Sequence, residues 1–353
     1  MSLKRLSIWS ACGFRRQPHF PGPASIELKM SRNAPKTVKA IRRTLCFLAV
    51  VLAASFGLAQ TLSFQRGIEI LKFPAEIDEI SGLAQSRKHP DIFWVHNDSG
   101  DTARVFAVNR KGVLVGTYSL DGAEAIDWED MAIGPAPGTN EFYLYLADCG
   151  DNSSNRPSIR IYRVLEPNIE PSQPPVNTRL QGVEAFDFVY EDGPRDAESF
   201  MVDPLTGDFY IVSKRDELNR LYRAIAPQPG KVNTFRFQLS FPFRYSTSAD
   251  ISPDGLEVLI RRYSSPPGTA TGMFSAPAET AASHWKRRDG SIPLVDLLRQ
   301  PAEILPLAIE PQGEAIAFSW DNQGFYTTTE RGMGANRIPA SPLTFYLSSE
   351  SRD

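Results

Sequence analysis

The sequence predicts an all-β fold of the β-propeller type, with five blades favoured and a closing strand drawn from the N-terminal side. Three observations lead there. No segment after residue 60 sustains an apolar period of 3.6 residues, whereas short alternating or wholly apolar runs bounded by turn residues recur throughout. The 28 Pro and 24 Gly favour many turns over long helices. One local grammar also repeats five times, and self-similarity at blade length is the signature of a radial repeat.

In each repeat a polar or acidic residue precedes a small apolar run, a turn rich in Pro, Gly or Asp follows, and an aromatic-aliphatic strand returns. The first is Ser81-Gly82-Leu83-Ala84, then Lys88–Asp91, then Ile92–Val95. The second is Glu129-Asp130-Met131-Ala132, then Gly134–Asn140, then Phe142–Tyr145. The third, Glu198–Met201 with Asp203–Asp208 and Phe209–Val212, has its Pro and Gly where a tight turn needs them. Asp250–Gly255 before Leu256–Ile260, and Glu314–Ala317 before Phe325-Tyr326, complete the series. The anchors at 81, 129, 198, 250 and 314 are separated by 48, 69, 52 and 64 residues, blade lengths with long loops. Further strands are expected at Ala103–Val108, Val113–Leu120, Ser158–Leu165, Val183–Tyr190, Asn219–Ala224, Thr234–Phe241 and Leu343–Leu347. The last repeat runs out of chain there, and Gly67–Phe73 is the strand expected to complete it and remove an exposed edge. Six blades is the alternative, if one long repeat conceals another.

Ahead of this body lies a leader. A basic stretch from Lys36 to Arg43 precedes the uncharged Thr44–Leu58, too short for the roughly 20 residues a bilayer span needs, and Gly57-Leu58-Ala59 suits a signal peptidase. We expect cleavage after Ala59, a true start at Met30, and residues 60–353 as one secreted or periplasmic domain with no membrane span. Ten of the 38 basic and one of the 41 acidic residues precede residue 60, leaving 28 against 40 in the body. Such a charge argues against nucleic acid or anionic lipid as partner, and for cations or polyhydroxyl ligands. Only Cys149 of three cysteines remains after cleavage, so no internal disulfide is expected. We expect a monomer.

The stretches Glu79–Leu83, His96–Asp101, Asp127–Asp130, Asp148–Asn152, Asp196–Glu198 and Pro311–Ala315 together resemble a group of secreted bacterial β-propellers without established activity, over nearly all of residues 64–347. More distantly the pattern is similar to phytase-like esterase and gluconolactonase-like propellers. That likeness implies a metal at the channel mouth, often calcium, and transfers no catalytic residue.

Two kinds of polar motif should converge at one mouth of the channel. The first is a pair two residues apart at the start of each inner strand: Glu79 with Ser81, Asp127 with Glu129, Asp196 with Glu198, Ser248 with Asp250, and Gln312 with Glu314. Residues two apart on a strand face the same way. The second follows the next strand: Asp98-Ser99-Gly100-Asp101, Asp148-Cys149-Gly150-Asp151, Lys214–Glu217, Arg261-Arg262 and Glu330-Arg331. Asp98, Asp101, Asp127, Glu129, Asp148, Asp151, Asp196 and Glu198 are therefore candidate ligands for Ca²⁺, which takes six to eight oxygens. Asp-x-Gly-Asp is also a sound Asx turn, and such carboxylates can serve the backbone alone. Lys214, Arg261 and Arg262 are candidates to bind an anionic group or to neutralise the acids. Asp127, Glu129, Asp196, Glu198, Glu314 and His96 are the candidates for acid-base work. Gly-x-Ser-x-Gly, zinc and phosphate-loop motifs are absent from the sequence. Three functions follow: a propeller binding a ligand with a divalent cation, a metal-assisted hydrolase of phosphoesters, lactones or glycosides, and a protein-interaction platform.

Overall fold

A computed structural model describes residues 62–170, 172–264, 279–332 and 337–350. The expected leader, residues 1–59 with Met30 and Ala59, lies outside the described residues. The described chain is all-β apart from one short helix, and its strands group into five antiparallel units. The first unit contains β2 (Ile80–Gln85), β3 (Ile92–Asn97), β4 (Arg104–Asn109) and β5 (Leu114–Leu120). The second contains β6 (Trp128–Pro135), β7 (Phe142–Asp148), β8 (Ile159–Leu165) and β10 (Glu184–Tyr190). Between β8 and β10 the chain detours through β9 (Val176–Leu180), which pairs in parallel with β5 of the preceding unit. The third unit is β11 (Ala197–Val202), β12 (Phe209–Ser213), β13 (Arg220–Ala224) and β14 (Val232–Ser240). Parallel pairing of β14 with β10 fuses the second and third units into one eight-stranded sheet.

The fourth unit is β15 (Ser246–Ile251), β16 (Glu257–Ser264), β17 (Glu279–Lys286) and β18 (Glu303–Pro306), with helix α1 (Leu294–Leu298) before the last strand. The fifth is β19 (Gln312–Phe318), β20 (Gly324–Glu330) and β21 (Pro342–Leu347), and β1 (Ile68–Lys72) supplies its outer strand by antiparallel pairing with β21. The strand expected at Gly67–Phe73 thus completes the last repeat.

Burial follows position in each unit. The first strands β2, β11 and β15 are buried at every residue and show no alternation of apolar with polar residues, β15 being built largely of small polar ones. The outer strands β1 and β9 are mostly exposed. Apolar cores form between consecutive units rather than within one. Trp94 and Val105 meet Leu144 and Tyr162, Phe186 and Phe188 meet Phe200 and Phe209, and Met201 and Val212 meet Ile251 and Trp285. Leu259 and Leu305 meet Phe318 and Phe325, and Ala317 and Tyr326 of the fifth unit meet Leu83 and Phe93 of the first. Each buried side chain of this size contributes about 1.5–3 kcal/mol relative to exposure. The arrangement is propeller-like.

Every first strand carries a β-bulge at its start. Pairing skips one residue between Ile80 and Gly82, between Trp128 and Asp130, between Ala197 and Ser199, between Ser246 and Ser248, and between Gly313 and Ala315. The extra residues are Ser81, Glu129, Glu198, Thr247 and Glu314. A bulge re-aims its side chain and ends regular pairing. In the fourth unit the equivalent residue is therefore Thr247, three positions before Asp250. Asp250 sits farther along its strand, where its carboxylate accepts from the Phe318 and Ile251 amides at 2.7 and 2.8 Å. The acid-led grammar of Asp250–Gly255 belongs to the turn at the far end of the strand.

Candidate functional site

The bulge residues are flanked by the positions just past the partner of the residue before each bulge: Asp98, Cys149, Lys214, Tyr263 and Glu330. Around them collect Asp98, Asp127, Glu129, Glu198, Glu314 and Glu330, with Lys214 among them. Glu129, Glu198, Glu314, Glu330 and Lys214 are buried, and Asp98 and Asp127 are partly so.

On one side, Asp98, Asp127 and Glu129 each bring a carboxylate oxygen within 4.8 Å of the others. Ser81 Oγ donates to Glu129 Oε2 at 3.5 Å, and the Ser99 amide donates to Asp98 Oδ1 at 2.5 Å. Gly150 lets its loop close over this side. A Cβ there would stand 2.4 Å from Asp127 Oδ2 and 2.4 Å from Glu129 Oε1, so a larger residue would have to push these carboxylates aside. Burial, reinforced by the charge of Asp127, raises the Asp98 carboxyl to about 6. Burial pushes Glu129 well above the ordinary carboxylate range, with Glu198 and Asp98 adding to it.

On the other side, the Lys214 ammonium is ion-paired with the Glu198 carboxylate. The lysine is placed by its backbone: its N–H donates to the Asp196 carbonyl at 2.9 Å, and its carbonyl accepts from the Tyr245 amide at 3.0 Å and Asn219 Nδ2 at 2.8 Å. Its Nζ lies 5.8 Å from the centre of the Tyr263 ring. Burial alone would lower the Lys214 pKa, but Glu198 and Glu314 outweigh it and hold the ammonium charged. Burial, then the charges of Glu314 and Asp98, raise Glu330 to about 9.

The remaining candidate ligands are engaged elsewhere. Asp148 is buried, accepts from the Asp127 amide at 3.1 Å and pairs with Arg156 at 2.9 Å. Asp151 accepts from the Arg156 amide at 2.7 Å. Asp196 accepts from the Asp151 amide at 3.0 Å and pairs with Arg215 at 2.6 Å. Asp101 binds Asn97 Nδ2 at 3.0 Å and Arg104 at 2.8 Å. These four carboxylates build the loops that carry Asp98, Asp127 and Gly150. Of the candidate cations, Arg261 is fully buried and donates to the Ala315 carbonyl at 2.9 Å, to the Thr328 carbonyl at 2.6 Å and to Glu310. Arg262 stands 5.3 Å from the Phe243 ring centre.

His96 is buried edge-on to Trp128, and its Nδ1 donates to the Asn97 carbonyl at 2.8 Å. Burial lowers it to about 4, so the ring is neutral at pH 7. Cys149 is buried, its thiol donates to the Ala197 carbonyl at 3.1 Å, and burial with the charge of Glu129 raises its pKa well above the usual value. Trp94 and Trp128 lie in the core, whereas Trp320 is 42% exposed.

Sequence reasoning missed Asp130 as a residue of importance. Its Oδ1 accepts from the Met131 amide and Ser248 Oγ, both at 2.9 Å; its Oδ2 accepts from the Phe200 amide at 2.9 Å and the Ala249 amide at 3.0 Å. One side chain thereby ties β6 to β11 and β15, next in sequence to Glu129. Burial raises its pKa and these four donors oppose that shift. The only local trace is that Asp130 adjoins Glu129 at the start of a strand otherwise apolar.

No family model matches the chain, and no curated protein does. Among solved structures the chain is similar to the hydrazine synthase of Kuenenia stuttgartiensis, with 9% identity and a TM-score of 0.36 over 78% of this chain and 96% of that one. It is also similar to a nidogen/laminin complex, with 9% identity and a TM-score of 0.37 over 72% of this chain and 73% of that one. At such scores these likenesses decide nothing about function.

Proposed function

We propose that the chain is a five-bladed β-propeller, closed by β1 on β21, that binds a divalent cation at an acidic mouth and through it a polar ligand. Support for five blades comes from the five bulged strands and from the core shared between the fifth unit and the first. The observation that carries the binding reading is the approach of Asp98, Asp127 and Glu129 to within 4.8 Å. Three carboxylates at that separation resist ionising together: burial, then the charge of neighbouring acids, raises all three, and a hard cation favours their ionised forms. Calcium suits the site because its coordination is flexible and oxygen-only, with carbonyls and water completing the shell. The basic stretch and short apolar segment before Ala59 support export from the cytoplasm, to surroundings where millimolar calcium is ordinary.

The test is the thermal midpoint of the purified protein in chelator, in millimolar Ca²⁺ and in Mg²⁺. A cation bound only by the folded state at a hundred times its dissociation constant adds about 2.7 kcal/mol. A rise with calcium larger than with magnesium is expected; no rise with either cation contradicts the reading.

A further inference from the structure

The mouth already contains one cation of its own. The Lys214 ammonium is ion-paired with Glu198, and Glu314, Glu129 and Tyr263 also bear on its charge. Lys214 is 7% exposed and pinned through three backbone hydrogen bonds, so it is a fixture of the fold. Glu314 is 8% exposed, and its Oε2 is buried with no hydrogen-bond partner. The charges that bear on Glu314 include Lys214 and Asp98, so the unpartnered carboxylate belongs to the same cluster as the cation. A buried carboxylate oxygen with no donor is costly unless a cation stands near it.

The acids thus divide into two halves. Asp98, Asp127 and Glu129 converge on one another, whereas the Lys214 ammonium is ion-paired with Glu198 and bears on Glu314, its charge reaching the first three acids without an ion pair to any of them. We infer that Lys214 is a tethered counter-cation filling the second of two cation positions in the mouth, so that the protein takes a single exchangeable divalent ion, at Asp98, Asp127 and Glu129. This rests on the metal-binding reading above and deepens it by fixing the stoichiometry and the residue that sets it. With Glu330 holding its proton near neutral pH, the five other carboxylates against one ammonium and one divalent ion still leave a net negative mouth. The ligand recruited there is accordingly a neutral polyhydroxyl or a cationic group, not a phosphate or carboxylate.

The experiment counts ⁴⁵Ca²⁺ bound at saturation by equilibrium dialysis in the wild-type protein, in Lys214→Met and in Lys214→Met/Glu314→Gln. The expected counts are one, two and one. Wild-type protein that binds no ion overturns the metal-binding reading itself. One ion in the wild type and one in Lys214→Met, or two in the wild type, overturns only the tethered-cation inference. Should Lys214→Met fail to fold, reductive methylation of the wild type read by mass spectrometry decides. Lys214 should be protected equally in chelator and in calcium. Methylation that appears on adding calcium would mean that the ion displaces the ammonium, and the inference falls.

Discussion

Asp130 and Ala249 are 119 residues apart in sequence, yet the Asp130 Oδ2 accepts the Ala249 amide at 3.0 Å. The same oxygen accepts the Phe200 amide at 2.9 Å. A single carboxylate therefore sets the spacing of three first strands, and with it the spacing of Glu129 and Glu198 one bulge away. Asp130→Asn puts an amide hydrogen donor against one of these donor pairs. The expected loss is about 2–4 kcal/mol of unfolding free energy, from buried donors left unpaired. Chemical denaturation measures it, and a loss below about 0.5 kcal/mol would show that the strands hold their spacing without the carboxylate.

Gly150→Ala tests the tightness of the Asp98, Asp127 and Glu129 cluster proposed to hold the ion. The added methyl meets Asp127 and Glu129 at 2.4 Å and must turn at least one carboxylate away. Calcium affinity should fall tenfold or more, about 1.4 kcal/mol. Titration calorimetry reads the change; an unaltered affinity would mean that those carboxylates do not need their present positions.

Stability of the calcium-free protein should fall as pH rises from 6.5 to 9. Glu330 has its folded-state value raised to about 9, so the folded protein binds this proton more tightly than the unfolded chain. The stabilisation is complete below the unfolded value near 4.5 and is lost as pH climbs through 9. His96, lowered to about 4, works in the opposite sense between 4 and 6.5, which is why the upper window is the informative one. Thermal midpoints in chelator across this range should decline, and a flat profile would contradict the burial of unneutralised acids.

Arg261→Met should cost about 3–5 kcal/mol, because it strands Glu310 and two buried carbonyls inside the fold. If Arg261 instead served a bound anion, inorganic phosphate would stabilise the wild type and not the variant. No such phosphate effect is expected in thermal melts.

Most of the framework was legible because most first strands carry a short apolar run and their turns carry Pro, Gly and Asp, whereas β15 is largely small and polar. Ser81, Glu129, Glu198 and Glu314 stood out as polar residues opening such runs. Thr247 did not, because a threonine before Ser248-Ala249 carries no signal and a bulge leaves no mark in composition. β9 and β17 escaped for the same kind of reason: Val176–Leu180 is mostly exposed, and Glu279–Lys286 is rich in small residues. The division of the acids into a converging trio, a lysine-paired side and loop-building carboxylates was beyond local pattern. It depends on hydrogen bonds such as Asp151 to Asp196, which are separated by 45 residues.

The central claim is that Asp98, Asp127 and Glu129 hold a divalent cation, and a calcium titration of wild type against Asp127→Asn/Glu129→Gln by calorimetry addresses it most directly. Saturable binding in the wild type, weakened about a hundredfold or more (~2.7 kcal/mol) in a variant with an unchanged circular dichroism spectrum, is expected. Equal affinity in the two proteins would contradict the assignment and leave these acids as builders of the mouth alone.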